Sequence, residues 1–172
     1  MLEHPIYLQI PTDSHNPHFT NHSAAEVVIS TLINIQQRGW LRLHGFVLLP
    51  DSLDMVTSLI RQGVSGVVGQ IESETIPMLS VLMPKNGIFW AQAHNYAVLE
   101  TKLAFDARLK ILHLSPVARG LVDKADRYTY SSANPRYQTH VAPYAGFMSL
   151  GHMELDNDED DTTIIQPQEI DN

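Results

Sequence analysis

Residues 101–132 read TKLAFDARLKILHLSPVARGLVDKADRYTYSS, and this stretch decides how the rest of the chain is read. Leu103, Ala107, Lys110 and Leu114 follow the turn period along one side, and Phe105, Leu109 and Leu112 broaden the apolar face. That spacing predicts a core-facing helix. The Ser115-Pro116 pair is expected to end it, because the residue before a proline is pushed out of the α region. Gly120 then permits a sharp reversal, after which Leu121 and Val122 are expected to return to the core.

Composition narrows the function classes. At 172 residues the chain is long enough for one domain with a real core and too short for two comfortable ones. There is no cysteine, which excludes disulfides, thiolate catalysis and Cys-ligated zinc. No apolar run approaches a membrane span, and MLEHPIYLQIPTD lacks the basic-then-apolar plan of a signal peptide, so a cytoplasmic protein is expected. The net charge of −8 lies in the C-terminal segment: from Glu154 onward eight acids stand with no Lys or Arg. The preceding residues are balanced, with eleven acids (nineteen minus eight) against eleven bases. Nucleic-acid binders carry a basic face, so this neutrality weighs against one. Two segments are expected: an α+β domain over 1–150 and an acidic, disordered tail over 151–172.

Taken in order, Pro5–Ile10 reads as a first strand, closed by the turn-rich TDSHNPHFTNHS. His15, His18 and His22 in that loop have a spacing that can gather a metal; without a carboxylate cluster they read as a polar surface loop. Ser23 and Glu26 form a capping box that opens a helix to about Arg38, with Gly39 closing it. Trp40–Leu49 reads as a strand of mixed alternation, with His44 as an ordinary packing residue. Arg61–Met83 reads as a second helix, broken or bent around Thr75-Ile76-Pro77. Lys85-Asn86-Gly87 is a turn into Ile88–Leu99, a hairpin or bent strand that carries Tyr96. Residues 134–150 are punctuated by Pro and Gly, with Tyr144, Phe147, Met148 and Leu150 available to dock. Ile164 and Ile165 interrupt the acidic tail. The order strand, helix, strand, strand, helix, strand, helix fits a ferredoxin-like (RRM-like) α+β layer with helices on one side of an antiparallel sheet.

The opening stretch also carries a family resemblance. His113-Leu114-Ser115-Pro116-Val117, then Gly120-Leu121-Val122, then Tyr128, Tyr130, Ser131 and Ser132, resembles the C-terminal half of the REP-associated tyrosine transposases, single-tyrosine members of the HUH nuclease superfamily. Phe89, Trp90 and Gln92 resemble that family's entry to its last strand. The resemblance covers roughly Pro5 to Tyr137 and implies the same ferredoxin-like fold. It implies two metal-binding histidines two apart on a strand, after a Pro-Asn pair, and a nucleophilic tyrosine four residues before the Asn/Ser of the Asn-Pro-Val run.

Here Pro50 matches the family proline, Asp51 replaces the Asn, Ser52 and Asp54 stand at the histidine positions, and Ile111 stands at the tyrosine. Neighbouring residues two apart on a strand share a face, so Ser52 and Asp54 keep the geometry while losing the imidazoles. Isoleucine cannot attack phosphorus. Gln62–Pro84 holds no base where the family places Lys and Arg, and Glu100 replaces a common arginine. The chain is therefore read as a pseudoenzyme, without cofactor or metal, kept as a binding or assembly subunit that acts through protein contacts. The alternative is a residual regulator that binds single-stranded or hairpin DNA through Arg61, Arg108, Lys110 and Arg119. Homodimers are common in the broad class.

Overall fold

The computed structural model describes residues 4–84 and 86–147. Strand β1 is Ile6–Pro11, helix α1 His22–Gln37, β2 Leu41–Leu49, β3 Ser52–Leu59, α2 Val64–Leu82, β4 Asn95–Val98 and α3 Lys102–Ala118. The strands form one antiparallel sheet in the order β2-β3-β1-β4. This is the expected α+β, ferredoxin-like arrangement.

Alternation decides which side chains face which helices. Ile6, Leu8 and Ile10 of β1 and Leu53, Met55 and Leu59 of β3 join the core beneath α1 and α2. The residues between them, among them Tyr7, Gln9, Ser52, Asp54 and Val56, point to the opposite face. On β2 the register shifts between Leu43 and Gly45, so Leu41 and Leu43 share a core with Phe46 and Leu48. One extra residue re-aims the strand, which accounts for its mixed alternation.

The second face has its own core, built from Val47, Leu49, Val56, Leu99, Phe105, Leu112 and Phe147. Helix α3 therefore covers the side of the sheet away from α1 and α2, and the expectation of helices on one side is corrected. The sheet has two amphipathic faces to bury, and α3 supplies the second cover. It approaches closely at Gly45, where an added Cβ would lie 2.4 Å from Leu109 Cδ1. Phe105 and Leu112 are buried there, but Leu103 is 81% exposed, and Leu114 and Ile111 are also exposed. The apolar face is thus narrower than the sequence periodicity suggests.

Several boundaries differ for local reasons. Helix α1 is capped by Asn21, whose side chain accepts from Ala24 N at 3.1 Å, and not by the Ser23–Glu26 box; Glu26 instead pairs with Arg136. Helix α3 runs through Pro116. The carbonyl of Leu112, which a proline at 116 cannot serve, accepts from Ser115 Oγ at 2.7 Å. It ends in a Schellman motif, with Gly120 at φ +72°, Leu121 N bonded to Pro116 O and Gly120 N to Val117 O. Leu121 is exposed and does not return to the core. Helix α2 is likewise continuous through Pro77, with Thr75 Oγ1 donating to Ile71 O and Ser80 Oγ to Ile76 O. In 88–99 the strand shrinks to Asn95–Val98, and Trp90 forms a single bridge with Thr12.

The Tyr130–Ser132 segment pairs beside β2: Leu48 N bonds Tyr130 O at 2.8 Å and Ser132 N bonds Phe46 O at 2.9 Å. That edge of the sheet is thereby closed. Tyr144 and Phe147 dock against Phe105, with Phe147 buried. Met148, Leu150 and the acidic segment lie outside the described residues.

Candidate functional site

The α3-facing side of the sheet holds the polar residues singled out in the sequence. Asp54, on β3, is flanked by Gln9 of β1 and Val47 of β2 in the strand register. It is 4% exposed. Its Oδ2 accepts from Tyr7 Oη at 3.3 Å and from Gln9 Nε2 at 3.5 Å, while its Oδ1 is buried without a hydrogen-bond partner. Burial pushes the Asp54 carboxyl up to about 6, against the pull of hydrogen bonds from Ser52, Tyr7 and Gln9. Ser52 is buried two residues away on the same face.

Tyr7 is the phenol beside this carboxylate. Burial, reinforced by the charge of Asp54, pushes it up to about 12, and the Arg108 guanidinium lies over its ring at 4.5 Å. A phenol held this firmly in the neutral form is a poor nucleophile at neutral pH. Ile111 lies on α3 one turn beyond Arg108, with 57% of its surface exposed.

A cleft of about 240 Å³ opens beside Ser52, lined by Gln9, Pro11, His15, Leu49, Asp51, Ser52 and Arg119. Arg119, the C-cap of α3, holds Asp51 in a fork, Nη1 to Oδ1 at 2.6 Å and Nη2 to Oδ2 at 3.1 Å. The guanidinium holds the Asp51 carboxyl below the usual carboxylate range and is itself raised by it. His15 Nδ1 stands 3.8 Å from Asp51 Oδ2.

The three loop histidines go to three partners. His18 Nε2 is 2.6 Å from Asp13 Oδ1, His22 Nδ1 is 2.7 Å from the Tyr130 hydroxyl, and His15 faces Asp51. His44 is buried between Ala142 O at 2.6 Å and the Ser58 hydroxyl at 2.8 Å, the satisfied packing role expected of it; burial lowers its pKa. Tyr96 is exposed on β4, opposite Leu8 in the strand register, and so projects from the face opposite Asp54. Among the described residues no three His, Asp or Glu side chains gather in a way that could hold a metal ion.

The bases named as DNA contacts stand on two elements, Arg61 after β3 and Arg108, Lys110 and Arg119 on α3 and its C-cap. Arg61 follows the C-terminal end of β3 and Arg119 reaches Asp51 just before its N-terminal end, about 25 Å apart along eight residues. Lys110 and Arg108 are two residues apart on α3, which puts them on different sides of the helix. Among the described residues, Arg38, Lys102, Arg119, Arg127 and Arg136 are in ion pairs with carboxylates.

Sequence reasoning missed Tyr7 and Gln9. The signal was present, since both stand between Ile6, Leu8 and Ile10 with the alternation of a half-buried strand. No local signal links Asp51 with Arg119, which are 68 residues apart.

No protein-family model and no curated protein matches the sequence. Among solved structures, a REP-associated tyrosine transposase bound to a REP hairpin superposes with a TM-score of 0.65, covering 85% of this chain and 87% of that one at 11% identity. A provisional transposase from Deinococcus radiodurans gives 0.48 over 64% of this chain and 90% of that one at 12% identity, too low to add to the comparison. The α+β architecture of this chain, with its third helix laid across the far face of the sheet, is therefore the fold of a REP-associated tyrosine transposase.

Proposed function

We propose that the protein is a non-catalytic relative of the single-tyrosine HUH transposases, serving as a binding or assembly subunit through protein contacts. The observation that carries this reading is the α3-facing side of β3, where a hydroxyl and a buried carboxylate, Ser52 and Asp54, stand at the positions matched to metal-binding imidazoles. Ile111 stands at the position matched to the nucleophile. A phosphodiester transfer needs an activated nucleophile and a cation or donor set to stabilise charge, and these side chains supply neither.

Protein contact is supported by the surface. Val81 is 80% exposed on α2 and Leu103 81% exposed on α3, with Met78 and Ile111 also exposed. Among the described residues five bases are paired with neighbouring carboxylates, which lowers the charge that would drive non-specific DNA binding. Affinity capture with the intact protein, compared with Val81→Asp and Leu103→Asp, tests this. Loss of one specific partner with either variant, at unchanged fold, is expected; identical capture by all three proteins opposes the protein-contact reading.

A second reading, a regulator that binds single-stranded or hairpin DNA without cutting it, is favoured by the similar transposase being bound to a hairpin and by the exposed Lys110 and Arg61. Its signature is affinity that falls steeply with salt. Hairpin DNA binding that is absent at low salt excludes it.

A further inference from the structure

We propose that the chain's own residues 162–166, TTIIQ, complete the sheet by pairing antiparallel along the outer edge of β4. The opposite edge is already closed by the chain, where the Tyr130–Ser132 segment pairs beside β2. Among the described residues β4 pairs with β1 alone. The register identifies the backbone groups left over. Leu99 N bonds Pro5 O at 2.8 Å, and bonded and non-bonded pairs alternate along an antiparallel ladder. Ala97 with Tyr7 and Asn95 with Gln9 are therefore the bonded pairs, and Tyr96 and Val98 turn their N–H and C=O groups away from β1. The bonds from Ala91 N to Pro11 O and from Asp13 N to Phe89 O continue the same phase along β1.

Nothing in β4 discourages a neighbour. Its residues NYAV carry neither the charge nor the proline that keeps an edge strand from pairing. Tyr96 and Val98 share a face with Leu8 and Ile6, their partners on β1, and stand 53% and 37% exposed beyond the rim of that core. The path of the chain selects the occupant. Phe147, the last described residue, shares the second core with Leu99, which follows β4, and stacks on His4, just before β1, at 6.4 Å. An antiparallel neighbour of β4 begins at that same end. Residues 148–161 then provide fourteen residues of connection, up to about 50 Å when extended, against about 13 Å for the length of β4. The run that follows is uncharged, bounded by Asp161 and Pro167, and four of its five residues are β-branched, the composition that strands favour. Ile164 or Ile165 opposite Tyr96 forms an aromatic–β-branched cross-strand pair. A segment tethered this closely is presented at about millimolar effective concentration, which favours it over a second copy at micromolar concentration.

This pairing stands apart from the protein-contact reading, since it concerns the chain's own sheet and its test needs no partner. Hydrogen exchange of the full chain is followed by mass spectrometry in peptides covering 94–99 and 160–168, for the wild type, Ile164→Pro and Val98→Pro. Proline at 98 removes an outward N–H and leaves the bonded pairs with β1 in place. In the wild type the Tyr96 and Val98 amides and those of 162–166 are expected to exchange on the order of tenfold or more slower than in an unstructured chain. Ile164→Pro is expected to release β4, and Val98→Pro to release 162–166. Protection is also expected to be the same at two protein concentrations tenfold apart. Should far-UV circular dichroism show Val98→Pro misfolded, Ile164→Pro, which alters no residue of the core, decides alone. Three results overturn the pairing: residues 162–166 exchanging at the unstructured rate in the wild type, β4 protection unchanged by Ile164→Pro, or protection that falls on dilution, which would give the edge to a second copy.

Discussion

The Tyr7 hydroxyl donates to Asp54 Oδ2 at 3.3 Å, joining β1 to β3 on the face that α3 covers. Arg108, from α3 itself, lies over the same tyrosine ring. A phenol, a carboxylate and a guanidinium thus meet where the resemblance places metal chemistry; the phenol serves Asp54 Oδ2, while Oδ1 is buried without a partner. The phenol stays neutral, the carboxyl is raised, and the arginine is spent on stacking.

Asp54 gives a pH prediction with a definite sign. Its folded pKa, about 6, lies above the ordinary value of 3.8, so the folded state binds the extra proton between those limits. Stability contributed by this group is greatest at low pH and is lost as pH rises through about 6. Asp54→Asn removes that slope and is expected to stabilise the protein at pH 7.5 by up to about 3 kcal/mol, the free energy of roughly two pKa units. Denaturant melts of both proteins from pH 4 to 8 measure it; parallel curves would refute the assignment.

His113 gives a slope of the opposite sign. Its Nε2 lies 2.7 Å from Ser132 Oγ, tying α3 to the segment that closes the β2 edge, and burial lowers its pKa. Because the unfolded chain takes up the proton first, stability falls as pH drops below about 6.5. His44 adds to the same slope. His113→Ala is expected to cost about 1–2 kcal/mol at pH 7.5 through the lost hydrogen bond and packing, and to flatten the acid limb in part. Urea melts at pH 5.5 and 7.5 report both effects.

Much of the fold was legible because alternation and turn residues act locally. Gly39 and Gly120 do close their helices, and His113 with Ser132 proved to be joined in space as well as in motif. The failures were cases where a distant partner or a neighbouring side chain changed the local balance. Proline normally ends a helix, but Ser115 bonds the carbonyl that Pro116 cannot serve. Glu26 left the capping box for Arg136, 110 residues away. The site was half legible: Ser52 and Asp54 do share a face, while Tyr7 and Asp51–Arg119 depend on pairings that only the closed sheet provides.

Gly45 tests the placement of α3. A methyl group there would meet Leu109 and Leu112, so Gly45→Ala must lift the helix or distort the bulge of β2. The expected cost is about 1–3 kcal/mol, typical of overpacking. Gly45→Ala combined with Leu109→Ala should recover part of it, and thermal melts of the three proteins would show the coupling. No cost for the single variant would place α3 elsewhere.

The central claim is the absence of phosphodiester chemistry, and denaturing electrophoresis of the protein with a labelled single-stranded hairpin DNA, in magnesium or manganese, addresses it most directly. The account predicts that the wild-type chain forms neither cleaved strand nor covalent protein–DNA band. A covalent band that disappears with Tyr7→Phe would contradict it and assign the nucleophile to the phenol beside Asp54.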